Sequence, residues 1–577
     1  MTASFKAAAV QFEPTMFDKE RNVSRLLAMV REAAESGARL IVTPEMGTTG
    51  YCWYDRAEVM PFVEAIPGPT TDRFASLARE FGCYIVVGMP EVDPATDLYY
   101  NTAVLIGPDG VIGKHRKSHP YISEPKWAAS GDAHAVFDTP IGRIALLVCM
   151  DLHFFETARL QAMAGADVIC HISNWLAERT PAPYWINRAF ENSCYVIESN
   201  RWGLERTVQF SGGSCIIEPD GSIAAVVDAG NGIAYGTIEP ELARRREVLS
   251  EPVFAGRRPE LYMNLMTNSF TWNPLDFFKL YGHRPLPPGR LSRMAVAQFA
   301  PVEDVEANLA RIEGLAIEIA AADKPDMIVF PELAITGLLQ PALRAQTLAD
   351  SAVSRLVRLA MKLRIYLVAG CAELGPEECY NAAVVAGPEG LVGSYRKIHL
   401  NTADKAWATP GKDWKVLDLS MGRVGLLIGH DALFPEAVRT LSLLGCDLVA
   451  CPAAIAGRFT GAHAGTTVAQ NYPIPTGADP YHWHLFRVRA GESNVYIGFA
   501  NVVDPARGFL GKSAVFGPDS FRFPRQESAI VESEGFASAT VDTTNLDTPY
   551  PTNVVRRKDL VTMRLPQHYY DLVRWHQ

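Results

Sequence analysis

RIALLVCMDLHFFE, residues 143–156, has a near twin in RVGLLIGHDALFPE, residues 423–436. Each begins with Arg, runs apolar for five residues, takes one odd residue, and then reads x-Asp with a closing Glu. The odd residue is Cys149 in the first stretch and Gly429 in the second. The pairing extends outward. MAVAQFAPVEDVEANLARI (294–312) restates AAVQFEPTMFDKERNVSRL (8–26), and IVFPELAITG (328–337) restates IVTPEMGTTG (41–50). YNAAVVAGPEGLVGSYRKIHL (380–400) restates YNTAVLIGPDGVIGKHRKSHP (100–120), and RRKDLV (556–561) is paired with RRPELY (257–262). A repeat that runs the length of both halves decides the architecture. Its seam is the Pro/Gly-rich YGHRPLPPGRL, residues 281–291, read as a linker between domains 1–280 and 292–577.

The bulk numbers agree. A chain of 577 residues exceeds one ordinary domain. With 48% hydrophobic and 20% charged residues it reads as globular rather than disordered. A net charge of −10 without a Lys/Arg-rich run speaks against nucleic acid or an anionic membrane as partner. No apolar stretch nears the roughly 20 residues needed to span a bilayer. The N-terminal MTASFKAAAVQFEP shows no signal-peptide pattern, and ten scattered Cys without a CxxC pair fit a reduced, cytoplasmic protein.

Within the first half, β-rich runs (AAAVQF, RLIVTPE, YIVVGM, NTAVLIG, IALLVC, DVICHI, YVIESN, GGSCIIEP) alternate with helical ones. RNVSRLLAMVREAAES places Val23, Leu26, Leu27 and Val30 on one helical face. Such alternation predicts an α/β fold with helices covering sheet faces.

Three strand-like runs end in polar groups: TPE at Glu45, HRK at Lys117 and LLVC at Cys149. A strand end fixes such a group while the loop beyond it builds a pocket. Each residue alone has an ordinary explanation. A Cys after IALLV is a core thiol, a Glu after Pro caps a turn, and a Lys in KHRK is solvated. The repeat separates the lysines. Lys114 is matched by Ser394, whereas Lys117 is matched by Lys397, and Glu45 by Glu332.

TPEMGTTGY, GKHRKSHP and VCMDLHFFE, in this order and spacing, resemble the Glu-Lys-Cys signature of the nitrilase superfamily of carbon–nitrogen hydrolases. The resemblance covers each half and includes ISNW (172–175), RAFEN (188–192), FSGGS (210–214) and PDG (219–221). It implies an α-β-β-α sandwich for each half, with the fusion supplying an internal pseudo-dimer on which a homo-oligomer would build. It implies catalytic Glu45, Lys117 and Cys149, and a further acid seven positions before a turn Gly. Glu124 stands so before Gly131, and Asp404 before Gly411. It brings Met150 (through its backbone N–H), Tyr51, Asn174 and Trp175 to the substrate, and it calls for no metal and no cofactor.

The chemistry explains the residue types. A thiol of ordinary pKa, about 8.5, is a weak nucleophile at neutral pH. An adjacent carboxylate can take its proton and a nearby ammonium favours the thiolate. Lys117 and the Met150 N–H would hold the oxyanion, and Glu45 would serve both half-reactions. Amidases and carbamoylases of the superfamily usually read Cys-x-Asp-x-x-Phe-Pro-Glu, whereas nitrilases follow the Cys with Trp-Glu. Residues 149–156 resemble the former and differ at Met150 and Phe155. The expectation is an enzyme that hydrolyses a small amide or carbamoyl compound through a thioester and releases ammonia. A nitrilase or nitrile hydratase on the same triad is the alternative. A non-catalytic binding or regulatory protein is the alternative of another class. Tyr51, Trp53, Trp127, His153 and Trp175 are candidates to line an apolar pocket, and each is also an ordinary core aromatic.

The second half keeps Glu332, Lys397 and Asp404, but Gly429 offers no nucleophile, and neighbouring His430 is a poor substitute. It also carries an insertion: Cys149 to Arg188 spans 39 positions, Gly429 to Arg489 spans 60. The extra stretch is Gly/Pro/Thr-rich, with His482 and His484 as a weak metal-ligand pair that lacks a third partner.

Overall fold

The computed structural model describes residues 3–121, 123–175, 180–267, 286–457, 460–463, 479–518, 528, 531–544, 555–556 and 558–575. Two compact units emerge: Met1–Val248 with Gly461–Trp483, and Leu249–Thr460 with His484–Gln577. A two-stranded hairpin from the insertion, Thr460–His463 paired with Asp479–His484, thus groups almost wholly with the first unit. The side chains of His482 and His484 lie outside the described residues. Among those described, no cluster of three or more His, Cys, Asp or Glu is arranged to hold a metal, and no helix is long and apolar enough to cross a membrane.

The first unit contains two six-stranded sheets. One is built from β1 (Phe5–Gln11), β2 (Ala38–Val42), β3 (Tyr84–Val92), β4 (Tyr99–Gly107) and β5 (Gly110–Arg116), with strand Gly232–Ile238 on the outer side of β1. The other runs from β6 (Val136–Thr139) through β7 (Gly142–Val148), β8 (Val168–Ser173) and β9 (Tyr195–Asn200) to Cys215–Ile217 and Ile223–Val226. β1, β2 and β3 are parallel, as are β7, β8 and β9, and parallel neighbours need crossover connections. Helices Lys19–Glu35 and Pro69–Phe81 supply them in the first sheet, Phe155–Met163 and Pro183–Asn192 in the second.

β1 packs on β9 and β4 on β7, so the sheets face one another with helices outside. Ala8 and Val10 meet the helix layer, while Ala7 and Ala9, on the opposite face, are equally buried. Burial on both faces is why the strands read as continuous apolar runs rather than as alternation. Val23, Leu26 and Val30 are buried as expected, and Leu27 packs half-buried at the edge of that cluster. Asp18 caps the helix by accepting from Arg21 N at 3.2 Å.

The second unit repeats the plan. Strands Leu291–Gln298, Met327–Val329, Tyr366–Leu374, Cys379–Gly387 and Gly390–Arg396 form one sheet with Gly535–Asp542. Val416–Leu419, Gly422–Leu426, Leu448–Ala453, Tyr496–Asn501 and Ala514–Phe516 form the other.

One sequence pairing is corrected. Arg556 bonds Asp447 at 2.9 Å as Arg244 bonds Asp167 at 2.9 Å. Lys558 Nζ donates to Cys446 O as Arg246 donates to Ala166 O. RRKDLV is therefore the counterpart of RRREVL (244–249), not of RRPELY. The true partner of RRPELYMNL (257–265) is RLPQHYYDL (564–572), because both form two successive 3-10 turns. Arg258 N donates to Tyr262 Oη at 3.1 Å, and Leu565 N to Tyr569 Oη at 3.0 Å. The Arg-Arg pattern occurs twice in the first half, and the shorter second tail brought the wrong copy into line.

The 257–265 segment belongs to the second unit. There Arg257 Nε donates to the buried Glu436 Oε1 at 2.9 Å, Tyr262 Oη meets His399 Nε2 at 2.6 Å, and Trp414 Nε1 donates to Leu261 O at 2.8 Å.

Candidate active site

Glu45 stands just beyond β2, where the chain crosses β3 closely. A Cβ on Gly88 would lie 2.3 Å from Pro44 O and 2.7 Å from Glu45 Cα, so only glycine admits the approach. Lys117 follows β5 directly. Cys149 follows β7 and opens a 3-10 turn, Cys149–His153, with φ = 46°. A left-handed backbone at a non-glycine residue is costly and is held only by its surroundings.

Asp151 does much of the holding. Its buried carboxylate accepts from Val148 N at 3.2 Å, Ser118 N at 3.1 Å, His119 N at 2.9 Å and Ser118 Oγ at 2.7 Å, and it bonds His115 Nε2 at 2.8 Å. This ties the Cys149 turn to the segment that follows Lys117. Burial opposes the charge on Asp151, but hydrogen bonds from His115 and His119 outweigh it and hold the carboxyl well below its usual range. Asp431 repeats the arrangement with Ile428 N, His399 N and Tyr395 Oη. The x-Asp shared by the twin sequences is thus a turn fastener.

Six side chains form a buried network beside the Cys149 turn. Lys117 Nζ donates to Glu45 Oε1 at 2.9 Å and to Glu124 Oε2 at 2.6 Å. Asn101 Nδ2 donates to Glu45 Oε1 and to Glu124 Oε1, both at 2.6 Å. Asn174 Nδ2 donates to Glu45 Oε2 at 2.8 Å, and Tyr51 Oη to Glu124 Oε2 at 3.2 Å. Glu45 and Glu124 are fully buried, Lys117 all but so.

Burial works against the ammonium of Lys117, yet Glu124 and Glu45 outweigh it and keep the lysine charged well beyond the ordinary range. Burial pushes Glu124 up, Lys117 draws it back, and the charge of Glu45 pushes it further up. Burial and then Glu45 also drive the Cys149 thiol well above its usual value, against the pull of Lys117 and the Asn174 backbone N–H. Lys117 favours the thiolate as expected, but burial and Glu45 outweigh it, so the sulfur needs a base to take its proton during attack.

The structure thus brings Glu45, Lys117, Glu124, Cys149, Tyr51 and Asn174 together, with Met150 next in chain. Trp175 stacks on His153, ring centroids 4.4 Å apart and 7° from parallel. Trp53 is core instead: its indole N–H donates to Gly50 O at 2.9 Å, and its ring meets Phe62 at 5.1 Å. Trp127 packs in the same cluster. The sequence reading missed Asn101, which bridges both carboxylates as Lys117 does. A signal was present, because the Tyr-Asn of YNTAVLIG recurs in YNAAVVAG and Asn381 bridges Glu332 and Asp404 likewise, at 2.7 and 2.8 Å.

In the second unit Lys397 Nζ donates to Glu332 Oε1 and Asp404 Oδ2, both at 2.6 Å. Gly429 keeps the left-handed turn at φ = 38°, but a Cβ there would lie 2.3 Å from Glu332 Oε2. That oxygen accepts from Ala454 N at 2.8 Å. Its counterpart in the first unit, the Asn174 N–H, faces the Cys149 sulfur. The glutamate has therefore moved into the space a nucleophile would need. His430 is buried, its ring edge-on to Phe434 at 5.4 Å, and burial drives it down to about 3, so it stays neutral.

The carbon-nitrogen hydrolase family model matches residues 6–247 and again 293–542. A nitrilase from Pyrococcus abyssi is 36% identical over 261 residues, 44% of this chain and 98% of its own length. The human omega-amidase NIT2 is 30% identical over 276 residues, 45% of this chain and 97% of its own. The crystal structure of Saccharomyces cerevisiae Nit3, from the nitrilase superfamily, is 27% identical and covers 42% of this chain and 92% of that one, at a TM-score of 0.39. Two successive matches, each spanning one copy of the Glu-Lys frame, place the chain in the carbon-nitrogen hydrolase family of the nitrilase superfamily as a tandem pair.

Proposed function

We propose that the first copy hydrolyses the carbon–nitrogen bond of a small non-peptide amide or carbamoyl compound through a thioester on Cys149, releasing ammonia. One observation carries this reading: Cys149 opens a left-handed turn beside a buried lysine, Lys117, whose Nζ bonds the carboxylates of both Glu45 and Glu124. The names of the omega-amidase and nitrilase relatives are in line with it.

Glu45 takes the Sγ proton as sulfur attacks the carbonyl carbon. Lys117 Nζ and the Met150 N–H hold the oxygen that becomes negative. Glu45 returns the proton to the leaving nitrogen, the C–N bond breaks, and ammonia departs. Water then attacks the thioester while Glu45 accepts its proton. Collapse expels the Cys149 thiolate, which recovers the proton, and the acid product leaves. Glu124 and Asn101 act on Lys117 and Glu45 rather than on substrate. Tyr51, Asn174 and Trp175 are the proposed substrate contacts.

The second copy, 292–577, is proposed to be catalytically silent and to be joined to the first, 1–280, through 281–291. The ten cysteines are all free, which fits a reducing compartment such as the cytoplasm. The test is an ammonia-release screen over aliphatic, aromatic and carbamoyl amides and the matching nitriles. Ammonia and acid from amides are expected. Turnover of nitriles alone, or of neither class, would overturn the reading.

A further inference from the structure

Behind the Cys149 turn lies a buried polar chain that the steps above do not use. His171, on β8, bonds the carbonyl oxygen of Cys149 through Nε2 at 3.0 Å. A carbonyl only accepts, so Nε2 carries a hydrogen. On its other side Nδ1 meets Glu198 Oε2, directly across on β9. Ser173 Oγ donates to the second Glu198 oxygen at 2.5 Å and lies 2.9 Å from Asn200 Oδ1. His171, Ser173 and Glu198 are all fully buried. Buried ionisable groups are costly in a core unless they serve something.

The tandem copy provides an internal control. Strands Leu448–Ala453 and Tyr496–Asn501 pair in the same register as β8 and β9. At the positions of His171, Ser173 and Glu198 they carry Cys451, Ala453 and Phe499, and Phe499 stacks on Phe486 at 3.7 Å. The neighbouring polar frame is kept. Asn200 N donates to Ser214 Oγ and Asn501 N to Ser513 Oγ, while Gln11 and Gln298 accept from those serines' backbone N–H groups. The fold therefore manages without the His-Ser-Glu chain, and the chain is absent where the nucleophile is absent.

We infer that His171, oriented by Glu198 and Ser173, is a positioning residue that holds and polarises the Cys149–Met150 peptide. The carbonyl it bonds and the Met150 N–H belong to one peptide unit. Donation to that oxygen fixes the left-handed turn and strengthens the N–H at its other end. The inference rests on the proposed role of the Met150 N–H toward the oxyanion. His171 touches no reacting atom.

Two measurements test it. With methionine labelled by 15N, the Met150 amide resonance, assigned through Met150→Leu, is expected to move in His171→Leu and in Glu198→Gln. An unmoved resonance overturns the inference whether or not a substrate is known. With an amide substrate, His171→Leu is expected to lower kcat about 10- to 100-fold at nearly constant KM, somewhat less than loss of a whole oxyanion donor, and His171→Gln, which keeps a donor, to recover part of it. Alkylation of Cys149 by iodoacetamide builds no oxyanion and should stay within about threefold of wild type in each variant. Unchanged kcat in His171→Leu, or labelling that falls as far as kcat in every variant, overturns the inference. A wild type that releases ammonia from no amide would instead count against the functional reading.

Discussion

Gly429 removes more than a sulfur atom. Glu332 has taken the space and the backbone N–H that a cysteine there would use, so the substitution cannot simply be reversed. Gly429→Cys placed in the Cys149→Ala background is expected to restore no ammonia release. It should also cost about 1–3 kcal/mol of stability from overpacking at a left-handed residue, read by urea unfolding. Lys397→Ala makes the complementary case. It breaks a buried ion pair and should cost roughly 3–5 kcal/mol, while amide turnover by folded protein remains at the wild-type rate. Loss of turnover comparable to Cys149→Ala would mean that the roles of the halves are misassigned.

At the scale of elements, the twin sequences describe a strand followed by a fastened turn, and Asp151 is the fastener. Its carboxyl is held below its unfolded value, near 3.9, so it stabilises the fold above that pH and the stability is lost as pH falls through the lower folded value. Between about pH 5 and about pH 3, wild type should therefore lose more unfolding free energy than Asp151→Asn. The helix Lys19–Glu35 buries Val23, Leu26 and Val30 in the core, and Leu26→Ala should cost about 2–5 kcal/mol in chemical denaturation.

The eight strands expected in the first half all form, because two-sided burial leaves an unmistakable apolar signature. Glu45, Lys117, Glu124 and Cys149 were legible because motif order and spacing carry them. Asn101 was visible only through its recurrence as Asn381. His171 and Glu198 were not legible, because a lone His and a lone Glu inside apolar strands announce nothing until strand register sets them side by side. The direction of the Cys149 shift was equally hidden, since burial, which outweighs Lys117, is a property of the folded chain.

Across the whole molecule, one ion-pair frame is built twice and completed once. Both copies keep the Glu, the Lys, the second acid and the bridging Asn, while the cysteine and the polar chain behind it exist only in the first. Residues 249–267 sit past the first family match yet belong to the second unit. Arg257→Ala is therefore expected to destabilise that unit, by about 3–5 kcal/mol, by breaking its buried ion pair with Glu436. The most direct test of this account is the rate of ammonia release from a turned-over amide by folded Cys149→Ala protein beside wild type. The account predicts loss of all measurable turnover. Retention of a substantial fraction would contradict it, because the second copy or another group would then be carrying the chemistry.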